Sequence, residues 1–250
     1  MPFAPIRPWL FAVLAALLGF LPSSASAGMT PAEVKMFERF KPLAEKGDRA
    51  AQANLGTYYA LGRGVAKDEV EGAKWYRKAA DQGDVYGQNN LGFCYAYGRG
   101  VAKDVVEAAK WYRKAADQGY PPGQKNLGYC YANGTGVAKD QVEAVRWWRR
   151  AADQGYSSAL YTLGNSYAYG RGVAKDVVEA YAYYSLAAMT KELSGKTFDS
   201  SLPVTIELAR RDLAVLEKRL SPDVQLRGQQ RTKELQKEIE AKIAAKKAGK

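Results

Sequence analysis

The chain has 250 residues, with 37 Lys and Arg against 26 Asp and Glu, so its formal net charge is +11, and it contains no histidine. The absence of histidine removes the commonest general base, the usual hydrolase triads and most zinc sites. Hydrophobic residues make up 47% of the chain, which is enough for a core. The length alone allows one or two ordinary domains.

The first 27 residues differ in kind from the rest of the chain. Arg7 is their only charged residue, Trp9 to Leu21 is apolar apart from one glycine, and small residues precede position 28. This pattern predicts a secretory signal peptide at 1–27, cleaved after Ala27. A membrane anchor is the alternative, but the apolar stretch is shorter than the roughly 20 residues that a span needs. We therefore expect a periplasmic or secreted protein with no membrane span.

A 36-residue unit then recurs four times without a gap, at 47–82, 83–118, 119–154 and 155–190. A fixed period of this length indicates stacked supersecondary units, each too small to bury its own apolar face. The sequence therefore predicts one extended solenoid. We expect an N-terminal capping helix at 28–46, a linker at 191–205, and a C-terminal capping helix with a charged helical tail at 206–250.

The first half of each unit predicts a helix that ends in a glycine turn. In the second copy Leu91 and Tyr95 lie four residues apart beside Gly92, and this Leu-Gly-x-x-Tyr pattern recurs in every copy. A glycine inside a helix costs roughly 1 kcal/mol against alanine, so its recurrence predicts a close approach between helices. Gly98 and Gly100 follow in a Gly-x-Gly-Val turn, where glycine tolerates a left-handed backbone.

The second half of each unit predicts a second helix. Asp104 and Glu107 resemble a capping box at its start, and apolar residues follow from Ala108 at helical spacing, flanked by Trp111. The same acidic pair recurs in every copy, and we interpret it as a helix cap rather than a metal or acid–base site. The cations of this helix are expected to point away from the core into solvent, with a binding ridge on this face as the alternative. They are Lys110, Arg113 and Lys114 in the second copy.

These motifs resemble the Sel1-like repeat, a relative of the tetratricopeptide repeat. The match rests on Leu-Gly-x-x-Tyr, on Gly-x-Gly-Val-x-x-Asp and on Glu-Ala-x-x-Trp-Tyr-x-x-Ala-Ala. The resemblance implies an all-α, right-handed α-solenoid of stacked helix-turn-helix repeats that binds proteins or peptides as an adaptor. Some secreted, cysteine-rich members are described as β-lactamases or penicillin-binding proteins. An enzyme of cell-wall or β-lactam chemistry is therefore the alternative function.

The motifs that such an enzyme needs are missing from the sequence. Neither Ser-x-x-Lys nor Lys-Thr-Gly occurs. Residues 194–197 read Ser-Gly-Lys-Thr and echo a P-loop, but Thr190 stands where its first glycine should be. We therefore expect no enzymatic activity, no catalytic residues, no cofactor and no metal.

The two cysteines, Cys94 and Cys130, occupy the same position of adjacent copies. Helix spacings put such positions roughly 10 Å apart, whereas a disulfide needs less than about 7 Å between Cα atoms. Two free thiols, at least partly buried, are favoured over a bridge, although exported proteins can form disulfides.

By analogy with the tetratricopeptide fold, the first helices are expected to line a concave face. The positions next to the Leu-Gly-x-x-Tyr face vary between copies and carry aromatic residues but no acid. Exposed aromatic residues are typical of binding anchors. We predict that this face binds the partner, with Phe93, Tyr97 and Tyr129 in one patch beside Lys125. The full predicted set is Tyr86, Asn89, Phe93, Tyr97, Lys125, Tyr129, Asn133, Tyr161 and Tyr169.

Two alternatives to this binding face remain open. Helix ends or the charged tail can cover the aromatic residues. The tail, with seven basic and three acidic residues at 231–250, can instead contact an anionic envelope surface or an acidic partner. Nucleic acid is not expected as a partner, because the chain carries an export signal and no nucleic-acid motif.

Overall fold

A computed structural model describes residues 29–189 and 202–249, and this part of the chain contains eleven α-helices and no strand. The predicted signal peptide, most of the predicted linker and the Ser-Gly-Lys-Thr motif lie outside the described residues. The helices are α1 (Pro31–Glu45), α2 (Arg49–Leu61), α3 (Glu69–Asp81), α4 (Val85–Tyr97), α5 (Val105–Asp117), α6 (Pro121–Asn133), α7 (Gln141–Ala152), α8 (Ser157–Tyr169), α9 (Val177–Met189), α10 (Leu202–Glu217) and α11 (Pro222–Ala248).

The helices from α2 to α9 form four antiparallel pairs, one for each repeat, and every helix packs on the next. The predicted all-α solenoid is confirmed. The first helices of successive repeats also contact one another, α2 with α4 and α4 with α6. Helices on the inner side of a curved stack approach in this way.

The leucine of each Leu-Gly-x-x-Tyr pattern lies at the centre of its repeat. All four leucines have no solvent exposure, and the glycine that follows each of them lies against an aromatic ring of the second helix. A Cβ atom on Gly92 would lie 2.8 Å from Cδ1 of Tyr112, and one on Gly128 would lie 2.3 Å from Nε1 of Trp148. The predicted close approach of the helices is confirmed, because no larger side chain fits there.

The Gly-x-Gly turn also joins each repeat to the one before it. Gly98 ends α4 in a left-handed conformation with φ of 69°. Gly100 has φ of 70°, and a Cβ atom there would lie 1.9 Å from the carbonyl oxygen of Glu69, at the start of the preceding second helix. Gly64 meets Glu33 of α1 in the same way. Helix α1 therefore takes the place of the second helix of a preceding repeat.

The acidic pair at each second helix forms only half of the expected capping box. Asp104 Oδ1 accepts hydrogen bonds from the backbone N–H of Val106 (3.0 Å) and Glu107 (2.9 Å). The Glu107 carboxylate contacts Lys110 Nζ at 3.1 Å, within its own helix. A complete reciprocal box forms at the start of α1, between Thr30 and Glu33.

The cations of the second helices lie away from the core, as predicted, and two of them also lie over indole rings. Lys114 Nζ lies 3.8 Å from the ring centroid of Trp111, and the Arg113 guanidinium lies 5.5 Å from that of Trp147. Lys110 and Lys114 are both exposed, and Arg113 is half-buried. The indole rings are buried at these positions, and the cations lie over their outer faces, an arrangement that the ring quadrupole favours.

The C-terminal region, expected to form a capping helix with a charged helical tail, contains two helices that are separated between Glu217 and Pro222. Helix α10 packs against α8 and α9, and α11 packs against α9. Arg231 Nε contacts Glu179 at 2.6 Å and Lys242 Nζ contacts Asp153 at 2.8 Å, so α11 is docked on second helices. In the described ranges, no helix combines the length and the apolar character needed to cross a membrane.

Candidate functional site

The first helices carry most of the large exposed aromatic side chains of the described residues. Tyr97 and Tyr169 are each 65% exposed, Tyr86 is 54%, Phe93 is 45% and Tyr129 is 42%. Side chains of this size are normally buried. Their exposure along one row of helices therefore defines a candidate binding face, which we call the first-helix face.

A cavity of about 670 Å³ lies on this face between the first and second repeats, and we call it the N-terminal cavity. Tyr86 packs on Tyr120 with ring centroids 5.0 Å apart, and Phe93 packs on Tyr97 at 4.6 Å. The residues that line the N-terminal cavity are Thr57, Ala60, Leu61, Lys67, Glu69, Tyr76, Tyr86, Asn90, Phe93, Cys94, Arg99 and Tyr120.

A charged cluster lies at the edge of the N-terminal cavity. Glu69 Oε1 accepts contacts from Lys67 Nζ and from Arg99 Nη1, both at 2.8 Å. Hydrogen bonds from these two cations lower the pKa of the Glu69 carboxyl, which therefore stays ionised at neutral pH. The Arg99 guanidinium is thus paired with a carboxylate of its own chain.

A second cavity, of about 330 Å³, lies between the third and fourth repeats, and we call it the C-terminal cavity. The Tyr129 ring packs on Trp148 at 5.3 Å, and its hydroxyl shares a hydrogen bond of 3.0 Å with Thr162. Gln141 Nε2 donates to the carbonyl oxygen of Ala132 at 2.8 Å. Its lining consists of Tyr129, Ala132, Asn133, Gln141, Trp148, Tyr161, Thr162, Asn165, Ser166 and Arg171.

The predicted site residues are thus divided between the two cavities. Phe93 and Tyr86 line the first, whereas Tyr129 and Asn133 line the second, so the expected single patch of Phe93, Tyr97 and Tyr129 is split. The ring contacts pair Phe93 with Tyr97 and Tyr129 with Trp148. We treat the two cavities as separate subsites of one face.

Two other predicted residues of the first-helix face, Lys125 and Asn89, are held by contacts with neighbouring helices. Lys125 is partly buried, with Nζ 5.9 Å from the ring centroid of Tyr156, and its carbonyl oxygen accepts from Trp148 Nε1 at 3.2 Å. Asn89 accepts a hydrogen bond of 2.9 Å from Asn126 on the next first helix. These contacts link neighbouring repeats rather than leave both side chains open.

Helix α10 closes the face at the fourth repeat. The Tyr161 hydroxyl donates to Asp212 at 2.7 Å, and the Ser158 and Thr205 hydroxyls lie 3.3 Å apart. Helix α10 therefore covers this end of the face, whereas the basic tail in α11 packs against α9. Tyr169 remains exposed beyond it, with the Arg171 guanidinium 5.1 Å from its ring centroid.

Sequence reasoning did not identify several residues of the two cavities. Arg99 and Arg171 occupy the variable position of the Gly-x-Gly turn, which was interpreted only as a helix end. Trp148 occupies the repeat position that holds Tyr112 in the second copy, and it adds an indole to the C-terminal cavity. The available signal was that these positions differ between copies, whereas the Leu-Gly-x-x-Tyr positions do not.

The two cysteine thiols are buried and mostly protonated at neutral pH. Cys94 and Cys130 are free and buried, and they lie in separate core clusters. Burial raises the pKa of each thiol to about 11, so the reactive thiolate is scarce at neutral pH. Across 29–189 and 202–249, no group of three or more His, Cys, Asp or Glu side chains is placed to hold a metal ion.

Comparison with known families identifies the repeat. The family model of the Sel1 repeat matches residues 49–84, 85–120, 121–156 and 157–189. These segments begin two residues after the units counted from their first glycines, and together they span more than half of the chain. No curated protein matches the sequence.

Solved structures of similar chains share the solenoid. A Sel1 repeat protein from Oxalobacter formigenes is 36% identical, with a TM-score of 0.58 over 70% of this chain and 74% of that one. The protective antigen c5321 from uropathogenic Escherichia coli strains, which has an SLR fold, is 28% identical, with a TM-score of 0.49 over 86% and 51%. Immunity protein Pa5087 from Pseudomonas aeruginosa is 22% identical, with a TM-score of 0.50 over 85% and 84%, and is similar in fold alone.

Proposed function

Because the chain belongs to the Sel1 repeat family, whose members are generally protein-interaction scaffolds, we propose that it is a non-enzymatic adaptor that binds a protein or peptide through the first-helix face. The observation that carries the proposal is the row of exposed aromatic side chains on successive first helices. The first cavity presents Tyr86 and Phe93, and the second presents Tyr129.

The size and lining of the cavities support the binding of a ligand. Volumes of about 330 and 670 Å³ lie within or near the range of ligand pockets, which combine apolar walls with a few polar groups. Aromatic anchors in such pockets carry a large share of binding energy at protein interfaces. The two cavities suit two anchor side chains of one partner.

The two other candidate functions have less support. The enzyme alternative rests on resemblance alone, and the Ser-x-x-Lys motif is absent from the full sequence. Envelope binding through the basic tail has to compete with the docking of α11. Arg231 contacts Glu179, Glu234 and Glu238, and Lys242 contacts Asp153, so part of the positive charge is already paired.

A double substitution on the first-helix face tests the proposal. Phe93→Ala with Tyr129→Ala removes one anchor from each cavity, while both side chains are more than 40% exposed, so the fold should persist. A partner captured from an envelope extract, then purified, is titrated by calorimetry. Truncation of two anchors should weaken binding at least about tenfold.

The matched control lies on the second helices. Lys110→Gln with Arg146→Gln removes two exposed cations that contact Glu107 and Glu143 of their own helices. Binding should then change less than about twofold, the scale of exposed ion pairs. If the control abolishes binding and the aromatic variant does not, the second-helix surface is the site and the proposal is wrong.

We also propose that the protein is exported, as the sequence pattern at 1–27 indicates. The mature chain should begin at Gly28, after cleavage at Ala27. N-terminal sequencing of protein from the periplasm or the medium measures this directly. An intact N-terminus on a membrane-bound form would contradict export in soluble form.

A further inference from the structure

Comparison of the four Gly-x-Gly turns singles out one arginine. In the second turn, the variable residue Arg99 contacts Glu69, which lies 30 residues earlier at the start of a helix. The glycine after the variable residue lies against the residue at this corresponding helix position in all four turns. At the first turn, hydrogen bonds from Thr30 and the charge of Arg63 lower the pKa of the corresponding Glu33. At the third turn both positions are uncharged, Thr135 and Val105.

The fourth turn has the arginine but lacks the carboxylate. Its variable residue is again an arginine, Arg171, but the corresponding helix position holds Gln141 in place of a carboxylate. The amide of Gln141 donates to the carbonyl oxygen of Ala132 at 2.8 Å. Within the described ranges no carboxylate lies at ion-pair distance from Arg171, which rests beside the Tyr169 ring and lines the C-terminal cavity.

The surroundings of Arg171 suit an anion. Asn133 and Asn165 lie in the same lining, and Arg171 is the only charged residue of that lining. Asp212 lies behind Tyr161, where it accepts the tyrosine hydroxyl at 2.7 Å and pairs with Arg211 at 3.0 Å. The charged residues that line the two cavities are Lys67, Arg99 and Arg171 against Glu69, so the cavity linings together carry a net positive charge.

The position of α10 on the first-helix face favours a ligand that ends at the C-terminal cavity over one that binds there through an internal acidic residue. Helix α10 covers the first-helix face at Ser158 and Tyr161, next to the C-terminal cavity. An extended segment that passes from the N-terminal cavity towards α8 therefore meets α10 at this end of the face. The cavities lie two repeats apart, roughly 20 Å by helix spacing, which an extended chain spans in about six residues.

We propose that the C-terminal cavity binds the free C-terminal carboxylate of a peptide segment of the partner, paired with Arg171. This inference rests on the proposed binding function of the first-helix face. The guanidinium supplies planar, paired N–H donors that match a carboxylate. The Tyr129 and Trp148 rings then contact the apolar part of the terminal residue, and residues further upstream reach the N-terminal cavity.

Paired peptide pools test the proposal without a known partner. Synthetic pools of eight randomised residues are prepared with a free C-terminal acid or a C-terminal amide. Peptides retained by the protein are identified by mass spectrometry, and selected sequences are titrated by fluorescence anisotropy in both forms. The acid form should bind about tenfold more tightly than its amide, the scale of a charge-assisted hydrogen bond.

Two substitutions assign this preference to the cavity. Arg171→Gln removes the cation, and Gln141→Glu supplies the carboxylate that Glu69 supplies to Arg99. Both should abolish the preference for the acid while circular dichroism shows an unchanged fold. Arg63→Gln, at the same turn position but outside both cavities, should leave the preference intact.

Each other outcome overturns the inference in a distinct way. Equal binding of acid and amide, unaffected by Arg171→Gln, removes the carboxylate site but keeps peptide binding on this face. Amide peptides that bind through internal Asp or Glu and depend on Arg171 show that the ligand is a side-chain carboxylate. No retained peptide in either pool, with Phe93 and Tyr129 intact, overturns the proposed peptide-binding function as well.

Discussion

Replacement of single indoles by phenyl rings measures the cost of a buried N–H that has no acceptor. Trp75, Trp111 and Trp147 are buried in the second helices, and no described group accepts a hydrogen bond from their Nε1 atoms. Trp148 is as buried as Trp111, each being 4% exposed, but its Nε1 donates to the carbonyl oxygen of Lys125 at 3.2 Å. The two tryptophans therefore differ in hydrogen bonding at equal burial.

The expected magnitudes follow from this difference. Trp→Phe at a buried position leaves unfilled space and costs roughly 1–2 kcal/mol, a fraction of the 3–5 kcal/mol of Trp→Ala. At Trp111 the substitution also removes an unpartnered donor that costs roughly 1–3 kcal/mol in the folded state. Trp111→Phe should therefore cost less than about 1 kcal/mol or increase stability, whereas Trp148→Phe, which loses a hydrogen bond worth about 1 kcal/mol, should cost roughly 2–3 kcal/mol.

Urea unfolding followed by far-ultraviolet circular dichroism gives both values. The slope of the free energy against urea has to be the same in all variants, because stacked repeats can unfold in parts. Trp111→Ala serves as the reference for full truncation and should cost roughly 3–5 kcal/mol. If Trp111→Phe and Trp148→Phe cost the same within about 0.5 kcal/mol, the indole N–H of Trp111 has a partner and the reasoning fails. A Trp111→Ala cost below about 0.5 kcal/mol would mean that the ring is exposed.

Three further predictions concern the thiols and the turns. In the folded protein at pH 7.5, Cys94 and Cys130 should react slowly with a thiol reagent. After unfolding without reductant, both should react fully. A mass two units below the reduced value, without labelling, would instead reveal a disulfide. Because burial raises the pKa of both thiols from 9.0 to about 11, their contribution to stability is complete below pH 9 and is lost as the pH rises towards 11. A Cys94→Ala, Cys130→Ala variant should show a shallower loss of stability over that range, and an identical pH profile would contradict the assigned burial. Gly100→Ala should destabilise more than Gly83→Ala: both positions have positive φ, which costs an alanine roughly 1–2 kcal/mol, but only at Gly100 does the Cβ atom meet a backbone oxygen at 1.9 Å.

The local structure of this protein was determined by the sequence alone. The 36-residue period, the Leu-Gly-x-x-Tyr pattern and the aspartate at the start of each second helix predicted the helix pairs and their stacking. These signals are reliable because they act over a few residues: Asp104 caps the helix that follows it, and Gly98 ends the helix that precedes it. Four repetitions of each signal made the prediction stronger than any single copy allows.

The binding face was decided only by the tertiary structure. The row of aromatic positions was predicted, but its division into two cavities depends on where neighbouring helices place Tyr120 and Trp148. The coverage of the first-helix face by α10 depends on the hydrogen bond from Tyr161 to Asp212, 51 residues apart. The environment of Arg171 depends on a helix position 30 residues earlier, as the Arg99 contact with Glu69 shows. A single sequence carries no signal for such pairings, because side chains that distant in the chain meet only after the helices have packed.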